Sequence, residues 1–214
     1  MRRAPFDLAP ERALAAELGV PPADIAGIDE VGRGPLAGPV TAGAAMVDPD
    51  RVSADLLALL DDSKKLSQAR REQAAAAIEA AAAEGAVVFA LGWASVEEIG
   101  RLNILQAALL AMRRAAAALP RPAAAAIVDG IRDPGLGVPA RPTPKADALC
   151  ASVAAAAILA KQARDAEMRR LDARYPGYGW AENAGYPTAA HRAALVRLGP
   201  TPAHRPGFKG VSPR

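Results

Sequence analysis

An α/β layered domain built on a mixed sheet is the fold class this sequence predicts, and three observations predict it. Strand-like and helical stretches alternate in the rough order β, β, helix, β, helix, β, β, helix, with a helical appendage behind them. Acidic residues fall where strands or helices should end, which is where α/β folds place their sites. Apolar residues make up 51% of the chain and aromatic residues only 4%, alanine making up the difference, so helices can pack closely on what they cover. With 214 residues one principal domain is expected.

The elements follow in order. Leu8, Leu14 and Leu18 give a short helical pattern within residues 1–24, ended by Gly19 and Pro21-Pro22. Residues 25–30 read as a first strand and Val40 to Val47 as a second, antiparallel to it, with Gly32-Arg33-Gly34-Pro35 between them and Asp48-Pro49-Asp50 closing it. The polar loop 61–67 leads into a helix that Ser67 can cap and Gly85 can stop. Val87 to Trp93 has strand character, and Ser95-Val96-Glu97-Glu98 is a capping box. Ile99, Leu102, Leu105, Leu109 and Met112 then keep helical spacing up to Pro120. Ala123 to Asp129 is ambiguous between helix and strand; its length, flanking prolines and Ile127-Val128 favour a short buried strand. Another strand is expected within 138–143, and an Ala-rich helix from about Asp147 to Asp172. A Gly/aromatic loop spans Tyr175 to Tyr186, Pro187 starts a short helix, and the tail from Gly199 is irregular.

No apolar run reaches the roughly 18 residues of a membrane span, and no apolar segment follows Arg2-Arg3, so a cytoplasmic protein with no membrane partner is expected. The single cysteine, Cys150, rules out an internal disulfide and a cysteine-based metal site, and reads as a buried small side chain. The formal net charge of +3 is unevenly placed: Tyr175 to Arg214 carries five basic residues against one acid, Glu182. A basic segment beside an acidic region suits a polyanion whose cleavage uses metal ions, although a solvated basic surface explains the charge equally well.

Asp29-Glu30 on the first strand, Asp129 closing the fourth and Asp147 opening the long helix form one set of acids. Hard divalent ions take oxygen ligands, and a pair of them about 3.5 to 4 Å apart can stabilise both the attacking and leaving oxygens of a phosphodiester. Singly, each acid has a blander reading, and Asp147 alone reads best as a helix N-cap. Adjacent strand residues face opposite ways, so Asp29 and Glu30 need a local irregularity to share a site, which the following glycines can supply. The turn matches neither G-x-G-x-x-G nor the Walker pattern, and a strand follows it, which argues against a dinucleotide fold. Glycines flanking an arginine do allow close backbone approach to a ligand while a guanidinium holds a phosphate.

Several motifs occur in order: GIDEVGRGPLAGPV at 27–40, DSKKLS at 62–67, LNILQA at 102–107, IVDG at 127–130, KAD at 145–147, AAAAILAKQARDAEM at 154–168 and NAGYPTAAH at 183–191. On these the sequence closely resembles bacterial ribonuclease HII, a type 2 ribonuclease H, from about Ile25 to the C-terminus.

The resemblance implies a ribonuclease H-like fold: a mixed five-stranded sheet flanked by helices, with a small C-terminal helical segment. Residues 1–174 would form the catalytic domain, with 1–24 as a lead-in, and 175–214 a basic segment that helps bind substrate. The family's four acids fall on Asp29, Glu30, Asp129 and Asp147, which would hold two divalent ions, Mg²⁺ or Mn²⁺. Gly32, Arg33 and Gly34 would recognise a ribonucleotide's 2′-hydroxyl and adjacent phosphate, and Tyr186 would stack on the following sugar. Lys64 or Lys65, Lys161 and Arg164 are candidate phosphate contacts. The implied activity, exerted by a monomer, is cleavage on the 5′ side of a ribonucleotide in an RNA/DNA hybrid or a DNA duplex, leaving a 3′-hydroxyl and a 5′-phosphate and beginning ribonucleotide removal from DNA. A broader hybrid-degrading enzyme and a non-cleaving nucleic-acid-binding protein of the same fold are the alternatives. The chain departs from the family pattern at Ala146, Ala157, Ala184 and Gly207, which leaves all four acids intact.

Overall fold

The computed structural model describes residues 6–63 and 65–211. Helix α1 (Ala9–Leu18) ends at Gly19, whose φ of 68° turns the chain out of the helix. Strand β1 (Ile25–Val31) follows, then β2 (Val40–Val47), and the two pair antiparallel from Ala26↔Met46 to Val31↔Thr41. A short helix α2 (Ala54–Leu59), not anticipated from the sequence, is capped by the Ser53 hydroxyl, which accepts from Leu56 N at 3.1 Å. Helix α3 (Gln68–Ala83) starts at the expected cap, Ser67.

Strand β3 (Val87–Ala94) hands over to the Ser95–Glu98 capping box, with reciprocal bonds of 3.2 and 2.9 Å. The single long helix expected after it is two: α4 (Val96–Leu102) and α5 (Ile104–Ala117), broken at Asn103. Asn103 adopts φ 68° and ψ 164°, a region helix geometry forbids, and its side-chain oxygen caps α5 by accepting from Leu105 N and Gln106 N at 3.0 and 3.1 Å. Unbroken apolar spacing hid this, because the break falls between residues that keep facing the same core.

Strands β4 (Ala125–Asp129) and β5 (Ala140–Thr143) confirm the strand reading of the alanine-rich segment. The sheet order is β3-β2-β1-β4-β5, with β1–β4 and β4–β5 parallel, so the sheet is mixed and five-stranded as expected. Asp147 does not open the long helix: it lies in a single 3-10 turn, Ala146–Ala148, and α6 (Ala151–Arg174) starts after Cys150. A short α7 (Trp180–Asn183) interrupts the Gly/aromatic loop, and α8 (Ala189–Leu198) is capped by Thr188, which puts Pro187 one residue outside the helix rather than in its first turn. Among the described residues no helix is long and apolar enough to cross a membrane.

Alternation along the strands sorts the core into layers. Ala26 and Ile28 of β1, Ala42 and Ala44 of β2 and Ala126 and Val128 of β4 pack against Ala108, Ala111 and Met112 of α5. The opposite face carries α6, with α3 beside it against β2 and β3, and with α1 against Ile25, Ile127 and Val153. Alanine and glycine make this contact unusually close. A Cβ on Gly43 would lie 2.3 Å from the Ala156 carbonyl oxygen, and one on Gly92 would lie 2.1 Å from that of Ala111. Residues beyond Arg174 pack through Tyr178, Trp180, Ala194 and Leu195 onto Leu36, Ala37 and Met168, so the C-terminal segment rests on the β1–β2 connection.

Since backbone, not a movable side chain, opposes Gly43, Gly43→Ala is expected to destabilise the fold by about 2 kcal/mol or more. Urea denaturation reads this directly, and an unshifted midpoint would contradict the packing.

Candidate functional site

Parallel pairing of β1 with β4 runs from Ile25↔Ala125 to Ile28↔Val128, so the next residues on the two strands are Asp29 and Asp129. Residues in register on parallel neighbours face the same way. That face is the one covered by α6, because Gly27, two residues before Asp29, lies against the first turn of that helix. Asp29 is 4% exposed and Asp147 6%. Asp147 is brought in by the turn ahead of α6, where Ala146 N donates to Asp129 Oδ1 at 2.7 Å. Lys145, with φ at 60°, makes the chain reversal that aims this amide, while Ala146 keeps ordinary helical angles.

Glu30 reaches the same place differently. The expected irregularity after Asp29 is absent: β1 keeps its register with β2 through Val31↔Thr41, so Glu30 leaves the opposite face. However, pairing with β4 stops at Val128, so β1 has an open edge from Asp29 onward. Burial raises the Glu30 pKa above the usual carboxylate range; the Arg33 guanidinium, donating to Oε1 at 3.2 Å, lowers it and the charge of Asp129 raises it again. Glu30 therefore senses the charge of Asp129 although its side chain leaves the face opposite to that of Asp29.

Asp29, Glu30, Asp129 and Asp147 offer only oxygen donors, and the Arg33 guanidinium pairs with Glu30. Among the described residues no group of three or more Asp, Glu, His or Cys side chains is arranged to enclose a metal ion directly. Mg²⁺-like ions are commonly held by one or two carboxylates, with water and substrate phosphate completing the shell. The charge of Asp129 acting on Glu30 is a carboxylate repulsion that such an ion would relieve.

Beyond Val31 the chain makes the tight connection 32–39. Gly32, at φ 95°, lies against Arg164, where a Cβ would come within 2.2 Å of Nε. Gly34 faces the Tyr186 ring, with its missing Cβ placed 3.4 Å from Cε1. Leu36 N donates to Gly185 O at 2.8 Å, which ties the turn to the Tyr186 segment. Tyr186 is 41% exposed.

Two fully buried guanidiniums hold this connection. Arg205 donates to the carbonyls of Gly32, Arg33, Pro35, Gly38 and Pro39 at 2.7 to 3.2 Å. Arg164 donates to those of Ala37, Pro39 and Ala184 at 3.0 to 3.2 Å. Burial lowers both pKa values, Arg205 to about 9, so Arg205 stays charged at neutral pH. Arg164 is therefore no phosphate contact in this structure; it supports the turn from beneath. Lys161 is bonded to Asp165 on its own helix. Lys65 is exposed and pairs with Asp62 at 3.6 Å, and Lys64 lies outside the described residues. Arg205 was missed from the sequence because its partners are backbone carbonyls about 170 positions away, which leave no charge pattern.

Under Tyr186 runs a buried polar chain. His191 Nδ1 donates to Tyr186 O at 2.9 Å, so its Nε2 is the acceptor for Trp180 Nε1 at 3.0 Å. His204 Nδ1 accepts from Thr201 N at 2.9 Å, which leaves its Nε2 proton for His191 Nε2 at 3.2 Å. Both imidazoles are neutral in this arrangement. Burial lowers the pKa of each, and for His204 burial followed by the neighbouring His191 brings it to about 4.

Over residues 26–211 the chain matches the family described as Ribonuclease HII. The curated Ribonuclease HII of Granulibacter bethesdensis is 55% identical over 184 residues, covering 86% of this chain and 83% of that protein. That of Paramagnetospirillum magneticum is 52% identical over 203 residues, covering 95% and 97%. Among solved structures, the ribonuclease H2 of Pyrococcus horikoshii superposes with a TM-score of 0.70 at 25% identity, covering 87% of this chain and 94% of that one.

The histidine chain sets a pH dependence. A histidine held at about 4 in the fold and near 6.5 when unfolded binds its proton first in the unfolded state, so its contribution is complete above 6.5. It is lost as pH falls towards 4, about 3 kcal/mol in all. Chemical denaturation between pH 7 and 4 should show this decline, and His204→Asn should flatten it; an equally steep decline in the variant would refute the assignment.

Proposed function

This chain belongs to the ribonuclease HII family, and on that premise we propose that it cuts RNA/DNA hybrids and single ribonucleotides embedded in duplex DNA. The cut falls on the 5′ side of the ribonucleotide and leaves a 3′-hydroxyl and a 5′-phosphate. Family membership makes it an endonuclease that acts on nucleic acid. The observation that supports the finer reading is the continuity of residues 29–34: one strand end carries two acids and runs directly into the glycine that meets Tyr186.

The residues divide the work. Asp29, Glu30, Asp129 and Asp147 are assigned to hold two divalent ions, Mg²⁺ or Mn²⁺, which when bound would supply positive charge to the attacking and leaving oxygens and acidify a water. Gly32 and Gly34 leave room for the sugar to approach the backbone, where amides can read a 2′-hydroxyl that DNA lacks. Arg33, with a side chain 53% exposed and one guanidinium nitrogen on Glu30, has further N–H groups to offer a phosphate oxygen. Tyr186 offers its ring face to the next sugar. Lys64 and Lys65 add positive charge for the backbone, and residues 175–214 extend the basic surface of a monomeric enzyme whose catalytic part is 1–174.

A duplex bearing one ribonucleotide should be nicked on that residue's 5′ side with Mg²⁺ or Mn²⁺; absence of a cut with both ions would sink the proposal. Asp29→Asn and Asp129→Asn should each lower kcat about a thousandfold or more, equivalent to about 4 kcal/mol, with an unchanged circular dichroism spectrum. Near-parental rates in either variant would remove that acid from the site. Binding measured across a salt series should weaken as salt rises, and a flat series would exclude phosphate contacts as its main source.

A further inference from the structure

Helix α6 begins without a cap of its own: Cys150 occupies the N-cap position and its side chain makes no capping bond. The cap comes from the other end of the sequence. Glu11, on α1 and 1% exposed, accepts from Ser152 N at 2.9 Å and from Ser152 Oγ at 2.7 Å through one oxygen, Oε1. A carboxylate there meets both the unsatisfied amides of the first turn and the positive end of a 24-residue helix dipole. Among the described residues Oε2 of Glu11 has no hydrogen-bond partner.

What this first turn touches gives the cap a consequence. A Cβ on Gly27 would stand 2.1 Å from Val153 N and 2.5 Å from Ser152 Oγ, so Ser152 is clamped between Glu11 and β1, two residues before Asp29. On its other side, Cys150 N donates to Ala146 O at 2.8 Å, and Ala146 N donates to Asp129 Oδ1 at 2.7 Å. A continuous path of short bonds and close backbone contact thus joins Glu11 to Asp29, Asp129 and the Asp147 turn. Cys150 reports the same proximity, its thiol being pushed up to about 12 by burial and then by the charges of Glu11 and Asp129.

We infer that Glu11 is a positioning residue for the acid site: by capping α6 it fixes the turn that presents Asp147 and aims Ala146 N at Asp129. Helix α1 is then part of the catalytic assembly, although it lies ahead of the residues matched to the family, 26–211. The inference rests on the metal-dependent reaction proposed above for its consequence, but its structural content can be measured without metal or substrate.

Cys150 is the only cysteine of the chain and is 1% exposed, so its alkylation rate under native conditions reports opening at the start of α6. Glu11→Ala is expected to speed alkylation about tenfold in protein that circular dichroism shows to be folded. Glu11→Gln keeps an acceptor for Ser152 and should label close to the parental rate. Ser152→Ala, which loses the hydroxyl bond, should label faster than the parent and serves if Glu11→Ala does not fold. In the same set, calorimetry without nucleic acid should show weaker Mn²⁺ binding by Glu11→Ala, and turnover should show a lower kcat with an unchanged KM. Parental labelling in Glu11→Ala or Ser152→Ala would overturn the inference. So would a Gln variant as fast as the Ala variant, because charge alone would then explain the effect. A parent that fails to nick a ribonucleotide-containing duplex would sink the proposed function while leaving the labelling comparison decisive.

Discussion

The connection from Gly32 to Pro39 exists in its observed shape because two buried guanidiniums bind its carbonyls. Pro35 and Pro39 have no amide hydrogen, and two of the connection's glycines take positive φ, so the segment cannot satisfy its own acceptors through a regular turn. Arg205 provides five N–H groups in a fixed fork, and each finds a carbonyl. Hydrogen bonds from a charged donor contribute about 1.5–3 kcal/mol each, which offsets the several kcal/mol of burying an ion. Among the described residues no carboxylate pairs with Arg205. Lysine in place of Arg205 would offer three donors from a single point and leave at least two carbonyls unpaired.

From that constraint the rest of the site follows. With the turn fixed, Leu36 can bond to Gly185 and Gly34 can face Tyr186, so the segment that ends β1 meets the C-terminal segment at one place. Parallel pairing of β1 and β4 puts Asp29 beside Asp129 at the same strand ends. The early end of β4 opens the edge through which Glu30 enters from the other face. The acid-bearing strand end and the glycine turn are adjacent because a single stretch, 29–34, is held at both ends, by the sheet on one side and by Arg205 and Arg164 on the other.

Much of this was legible in the sequence, for identifiable reasons. Strand ends and the caps Ser67 and Ser95 depend on local residue chemistry, each side chain acting three positions away, whereas Thr188 caps α8 where Pro187 was expected to start it. The positive φ of Asn103 was illegible because apolar spacing continues across it, and the placement of Asp147 ahead of α6 because Ala-rich sequence gives a helix no visible start. Arg205, Arg164 and Glu11 were illegible because they act mainly over more than a hundred positions, on backbone groups or on a single buried serine. In each case a polar residue that reads as surface decoration turns out to be buried and structural. The basic excess of the C-terminal segment is correspondingly smaller than a count suggests, since Arg205 is spent inside.

Arg205 shapes the turn proposed to read the ribonucleotide and, being fully buried, does so from within the protein. The most direct test is kcat/KM for a duplex carrying one embedded ribonucleotide, compared between the parent and Arg205→Lys at a temperature where both are folded. A fall of about a hundredfold, close to 3 kcal/mol of lost transition-state stabilisation, is the predicted result. A value within about twofold of the parent, less than 0.5 kcal/mol, would contradict it.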